Sequence, residues 1–584
     1  MNKTRVLSSF GLLAGVALTL TACGSKSSNT NSQNTTKFKT AVPTKAAKSG
    51  GTLNYAIEAD SPFTGIFSNE LETSATDSDV MQFGNESLFD TDDNYKINNN
   101  GPATFKLDKN AKTVTIKIKK GVKWSDGKQV VAKDIEYAYE IIANKDTKSQ
   151  RYTSSLANIE GLAEYHSGKA SSISGIEMPK GENGDTVVLH FKEMKPGMYQ
   201  SGNGYFWESA APYHYLKDVK FKDLESSDKI RKHPLFFGPY KLQKLVRGQS
   251  ATWVRNPYYW RGTPKLNKIV ATVVGTSAVS QAIKSHKFDM IGVINSQWKN
   301  VKDTKNVNFI AKVPLSYSYL GFKVGKYDSK TGKNVMNKNA KMNNKALRQA
   351  IAYGMNVDEA YKRYMNGLSF RVPTLIPKQF GKFYNSNADA YSYNLKKGNE
   401  ILDKAGFKKK GTYRTLPNGK KLTIHLAAMS GSSVQETIVQ NYIQQWKKLG
   451  LNVKLTTGRL IEFNSFYDKV QNDSKDIDMF IGAWSLSSEP SPADLYSETA
   501  PFNFSRFVSK ENTKLLDDID SQKSFNTAYR VKAFHKWQKY MNDQAYVVPV
   551  SNGYSITAVN SKLTNVNLNP SSGNSLWYKV AFVK

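Results

Sequence analysis

One cysteine, Cys23, occurs in 584 residues. No disulfide can form within such a chain, so its fold must be held by apolar burial and backbone hydrogen bonding. The position of that cysteine also marks which part has to fold. Ahead of it lie a basic start, with Lys3 and Arg5, and an apolar stretch from Phe10 to Leu20. The order of charged, apolar and small residues reads as a secretory signal peptide, because the apolar part is too short to cross a bilayer. A body of roughly 530 residues follows, room for two to four domains at about 100–200 residues each. No later stretch of about 18 apolar residues occurs, so no membrane span is expected.

The run Leu20-Thr21-Ala22-Cys23 resembles the lipobox of bacterial lipoproteins. The resemblance implies a signal peptide over 1–22 and acylation of the Cys23 thiol after cleavage. From Gly24 to Gly51 the chain is Ser, Thr, Asn, Lys and Ala with almost no large apolar residue. Such a segment cannot bury enough surface to offset ordering entropy, so 23–50 is expected to be a lipidated, flexible tether. It carries Lys26, Lys37, Lys39, Lys45 and Lys48 and no acid, which adds an electrostatic hold to the lipid. The whole chain carries 82 basic and 49 acidic residues, a net charge of +33. That excess draws a protein to anionic surfaces. A signal peptide argues against nucleic acid, and the outer face of a Gram-positive cell membrane fits better.

Strand and helix periods alternate along the body. Val114, Ile116 and Ile118 share one face of a half-buried strand from Thr113 to Lys119. A helix around Lys133 to Ala143 puts Ile135, Ala138, Tyr139 and Ile142 on one stripe. A strand from Leu422 to Ala428 precedes a helix with Val439, Ile443 and Trp446, started by a Ser433/Glu436 capping box and stopped at Gly450. Leu451 to Leu455 alternates as the next strand, so the unit is βαβ with parallel strands. The apolar run Met479 to Trp484 should join the same sheet. The class is α/β.

Catalytic patterns fail one by one. The seven histidines, from His166 to His535, contain no pair closer than 19 residues, so no local zinc motif exists. Asp90 to Asn94 starts like a calcium loop, but Tyr95 and Gly101 stand where Gly and a bidentate Glu are needed. Ser125 and Lys128 have Ser-x-x-Lys spacing around an Asp126-Gly127 turn, with no partner motif. Gly325 to Gly332-Lys333 has the wrong spacing for a phosphate-binding loop. No catalytic constellation, cofactor or metal site is expected, which favours a binding protein.

Several segments together are similar to a known family. They are Asn85-Glu86-Ser87-Leu88-Phe89; Gly121 to Gly127 followed by Ala132-Lys133-Asp134-Ile135; and Ile159-Glu160-Gly161 to Gly175-Ile176. Gly238-Pro239-Tyr240, Arg255 to Trp260, Leu347-Arg348-Gln349-Ala350-Ile351 and Asp403 to Phe407 follow in order. This order resembles the family 5 solute-binding proteins of ABC importers, oligopeptide-binding type, from about Gly51 to the C-terminus. The resemblance implies a two-lobed periplasmic-binding-protein-like fold (type II, cluster C) with an extra subdomain and a ligand cleft between lobes. Lobe I would comprise 51–84, 217–315 and 550–584, the subdomain 85–216 and lobe II 316–549. It further implies a monomer, lipid-anchored on the extracytoplasmic face, that hands oligopeptides to permease subunits and performs no catalysis. Other readings are the same fold with a signalling peptide, glycan fragment or metal chelate, a basic surface adhesin, or a hydrolase with dispersed carboxylates. Trp124 and Trp260 are expected as core anchors.

A binder of many peptides must use backbone groups and charged termini, for instance by taking the ligand as an added strand. The resemblance places that pairing near Thr73, Ser74 and Ala75 and at Trp484, Ser485, Leu486 and Ser487, with Tyr319 beside them. Ser487 stands where some members carry Asp. The nearby acids are Glu489 and Asp494, and Glu489 is the expected partner of a peptide amine. Lys323 stands where relatives tend to have Asn.

Overall fold

In the computed structural model, which describes residues 38–388, 391–432, 434–573 and 576–584, three larger sheets carry the α/β fold. Cys23 and the signal peptide lie outside the described residues. The largest sheet has seven strands in the order Val307–Lys312, Ser555–Asn560, Met290–Val293, Thr52–Glu58, Lys268–Val274, Ser250–Arg255 and Tyr240–Val246. Thr52–Glu58 sits at its centre, parallel to both neighbours. Leu53 and Ile57 are buried on one face and Ala56 on the other, as a strand covered on both sides requires.

A six-stranded sheet follows, ordered Ser369–Arg371, Val547–Gly553, Ser316–Phe322, Met479–Ser485, Ile424–Ala428 and Val453–Leu455. Ile424–Ala428 pairs in parallel with both Val453–Leu455 and Met479–Ser485, with helix Gln435–Lys448 between the first two in sequence. The expected βαβ unit is therefore present. Ser433 of the expected capping box lies outside the described residues; the helix is described from Gln435, with no side-chain cap at Val434. Tyr319 packs across Gly482, where a Cβ would stand 3.1 Å from its ring. The two large sheets are joined closely: the strands Val547–Gly553 and Ser555–Asn560 belong to different sheets and are separated by Tyr554 alone.

The third sheet has four strands, Ala103–Asp108, Thr113–Ile118, Thr186–His190 and Ile176–Glu177, under helix Ala132–Ala143. The stripe Ile135, Ala138, Tyr139 and Ile142 is buried. Tyr137 and Ile141 are buried as well, in a second cluster with Ala211, Leu216 and Ile230. Asp134 ties this unit together. Its Oδ2 accepts from the Trp124 indole at 2.8 Å and from the Val131 amide at 3.0 Å, and its Oδ1 accepts from the Tyr213 amide. Trp124 is thus a core anchor, and Trp260 donates to Glu86 Oε1 at 3.2 Å on the side of the same unit.

The last part of the segment expected as a tether is not free. Residues 38–50 are held by the body: Lys39 bridges Ile310, Ala41 bridges Asn567, and Ala47–Lys48 pairs antiparallel with Ala581–Val583. The apolar residues that make this possible are Phe38, whose ring meets Trp298 and Tyr554, and Val42, buried in the core. Among the described residues no helix is long and apolar enough to cross a membrane.

Candidate functional site

The strand Met479–Ser485 outruns its neighbour. Its pairing with Ile424–Ala428 ends at Ala428 opposite Ile481, while its other edge stays in register with Ser316–Phe322 as far as Ser485. The freed edge borders a cavity of about 960 Å³, within the range of small-molecule and peptide sites. At Ala483 that edge is occupied, because the Tyr467 hydroxyl donates to the carbonyl at 2.9 Å and accepts from the amide at 3.2 Å. Backbone groups two residues apart point to the same side of a strand, so those of Ser485 are aimed into the cavity.

Three parts of the chain supply the walls. Helix Ala75–Met81 and the segment before it bring Glu72, Thr73, Ala75 and Asp79. The four-stranded-sheet unit brings Arg151, Ser155, Tyr205 and Trp207. The six-stranded-sheet unit brings Tyr467, Phe502 and Phe504 and the segment from Ala483 to Tyr496. Trp484 is half-buried, parallel to Tyr319 with ring centroids 6.1 Å apart, and packs on Phe502 and Phe504. One wall is therefore aromatic, suited to apolar side chains.

Of the residues expected at the site, Thr73, Ala75, Trp484, Ser485, Leu486, Ser487 and Glu489 border the cavity. Ser74 and Tyr319 do not. Ser74 is buried at the N-terminus of helix Ala75–Met81, and its Oγ has no hydrogen-bond partner. Tyr319 lies beneath Trp484 as support for its ring.

Glu489 is not an available carboxylate. It is 4% exposed, its Oε1 accepts from Arg530 Nη2 at 2.6 Å, and its Oε2 accepts from the Ser491 amide at 2.7 Å. Asp520 shares the same guanidinium at 3.1 Å. Burial works against the charge on Arg530, yet Glu489 and Asp520 beside it hold the guanidinium protonated. A peptide amine would have to displace an arginine that is already paired, so Glu489 does not fit the role the sequence suggested. Asp494 is better placed but also engaged: its Oδ1 accepts from Ser155 Oγ at 2.8 Å, and burial pushes its carboxyl up to about 6. Lys323 lies away from the cavity. It is buried beside helix Phe463–Gln471, donates to the carbonyls of Val470 and Phe504, and pairs with Asp473.

The sequence reading missed Tyr205, Trp207, Tyr467, Phe502 and Asp79. A usable signal existed in Gly202-Asn203-Gly204-Tyr205-Phe206-Trp207, where Gly202 and Gly204 both adopt positive φ in a loop that brings Tyr205 and Trp207 to the cavity border. Tyr467 carries no such signal, because its spacing with Phe463 and Phe466 reads as an ordinary helix stripe.

Comparisons with known proteins identify the family and the fold. Residues 100–505 match the model of the bacterial extracellular solute-binding proteins, family 5 middle region. The oligopeptide-binding protein OppA of Lactococcus lactis subsp. cremoris (strain SK11) is 44% identical over 97% of this chain and 96% of its own length. A structure of lactococcal OppA, complexed with an endogenous peptide in the closed conformation, superimposes with a TM-score of 0.89 over 91% of this chain and all of that one. The structure of AppA from Bacillus subtilis with a nonapeptide, 22% identical, shares the fold with a TM-score of 0.76 over 92% of this chain and all of that one. The chain belongs to family 5 of the bacterial extracellular solute-binding proteins.

Proposed function

We propose that this chain is the oligopeptide receptor of an ABC importer, anchored through Cys23 on the extracytoplasmic face of the cell membrane. The observation that carries the reading is the open strand edge at Ser485 on a 960 Å³ cavity with an aromatic wall. An edge of this kind takes any peptide backbone, and the aromatic wall takes side chains without demanding one in particular. Close identity to lactococcal proteins named for oligopeptide binding supports the same solute class.

In this reading 51–84, 217–315 and 550–584 form one lobe, 316–549 the other and 85–216 the extra subdomain, with the ligand clasped in the cleft between the lobes. The strand switch at Tyr554 acts as part of the hinge, and the ligand shifts an open population toward a closed one. Thr73, Ala75, Trp484, Ser485, Leu486 and Ser487 contact the peptide. The receptor works as a monomer and passes peptides to permease subunits, without bond chemistry.

Native mass spectrometry of the purified protein tests this directly. A population of co-purified peptide masses is expected. A single defined non-peptide mass would assign another solute to the same fold.

A further inference from the structure

The chain carries a net charge of +33, yet the charged residues bordering its cavity are of the opposite balance: Glu72, Asp79, Glu489 and Asp494 against Arg151. Three of these acids are engaged. Glu489 is locked to Arg530, Asp494 accepts from Ser155, and Glu72 pairs with Arg151. Asp79 differs. It lies in the last turn of helix Ala75–Met81 and is exposed to the cavity; its carbonyl accepts from Gln82 Nε2 at 2.7 Å, but its carboxylate makes no hydrogen bond or ion pair among the described residues. It faces the same space as the free edge at Ser485.

A carboxylate in a cleft that closes over its ligand loses water, and without a cation that loss is uncompensated. Protein around the cleft and the nearby Glu72 push the Asp79 carboxyl up to about 6, a cost that a cation placed beside it would offset. Arg151 does not relieve it, since its guanidinium is directed to the Glu72 side chain and backbone.

We infer that Asp79 is the specificity-determining acid of the cavity, receiving a positively charged nitrogen group of the bound peptide, either its N-terminal ammonium or a Lys or Arg side chain. The inference rests on the peptide-binding reading above and assigns to Asp79 the role that Glu489 cannot fill. Asp79→Asn suits the test because the carboxylate has no partner whose loss would disturb the fold.

The experiment measures calorimetric affinity of the full chain, wild type and Asp79→Asn, for four peptides of one apolar backbone sequence. They combine a free or acetylated N-terminus with an alanine or a lysine at one internal position. Asp79→Asn should weaken the peptides that carry the relevant cation about tenfold and leave the acetylated, lysine-free peptide within about twofold. Loss confined to the free-amine pair supports the ammonium as the source; loss confined to the lysine pair supports the side chain. Equal loss for all four peptides, or no loss for any, overturns the inference while the peptide reading stands. Failure of the wild type to bind any of the four overturns both.

Discussion

Lys323 shows how a departure visible in sequence acquires a different meaning in three dimensions. A lysine where relatives tend toward asparagine suggested an altered ligand. Its Nζ instead donates to Val470 and Phe504 carbonyls at 2.8 and 2.9 Å and pairs with Asp473, which also holds Arg506. Lys323→Met should therefore leave peptide affinity within about twofold while lowering stability in urea by roughly 2–4 kcal/mol, since two carbonyls and part of an ion cluster lose their donor. Burial, with Arg506 nearby, pulls the Lys323 ammonium from 10.5 down to about 8. The folded state thus binds this proton more weakly than the unfolded chain, so the wild type gains stability relative to Lys323→Met as pH rises from about 8 to 10.5. A mutant that loses affinity at unchanged stability would return Lys323 to the ligand site.

At the scale of elements, the segment Ala493–Tyr496 meets the four-stranded-sheet unit through Asp494 and Ser155. Burial raises the Asp494 carboxyl to about 6 from an ordinary 3.8, with Asp520 and Glu489 adding to the effect and Ser155 and Thr153 opposing it. Opening the cleft would expose the group and return it toward its ordinary value. The closed form then holds the proton more tightly, so closure of the ligand-free protein is favoured as pH falls through about 6 and weakened above it. Small-angle scattering at pH 5 and 7.5 should show this difference in the wild type and lose it in Asp494→Asn. A mutant with the same pH response would move the titration to another acid. Elements themselves were readable from local pattern: the periods of Ile424–Ala428, Gln435–Lys448 and Val453–Leu455 announce one unit. The site was readable only in part. Arg530, which neutralises Glu489, stands 41 residues away on helix Thr527–Gln544, and no local spacing reports such a partner. Tyr205 and Tyr467 meet the same cavity from segments more than 250 residues apart, a proximity set by sheet packing alone.

For the whole molecule, charge and chemistry separate by location: a strongly basic exterior surrounds a cavity bordered by more acids than bases. The exterior suits residence at an anionic envelope. Lipid attachment is the proposed permanent hold, so Cys23→Ser should move the protein from membranes into the medium, or leave it unprocessed, once a high-salt wash removes electrostatic adhesion. Full retention after that wash would place the anchor elsewhere. The antiparallel pairing of Ala47–Lys48 with Ala581–Val583 adds a mechanical consequence. It buckles the start of the body to the very end of the chain. With Phe38 and Val42 also packed in place, a lipid proposed on Cys23 would be no farther from Phe38 than the extended contour of the intervening chain, roughly 50 Å at about 3.3–3.6 Å per residue. A pull from a lipid on Cys23 would reach Phe38 before that buckle, and the Phe38 ring packs on Tyr554 at the strand switch, so membrane tension would be felt first at the proposed hinge.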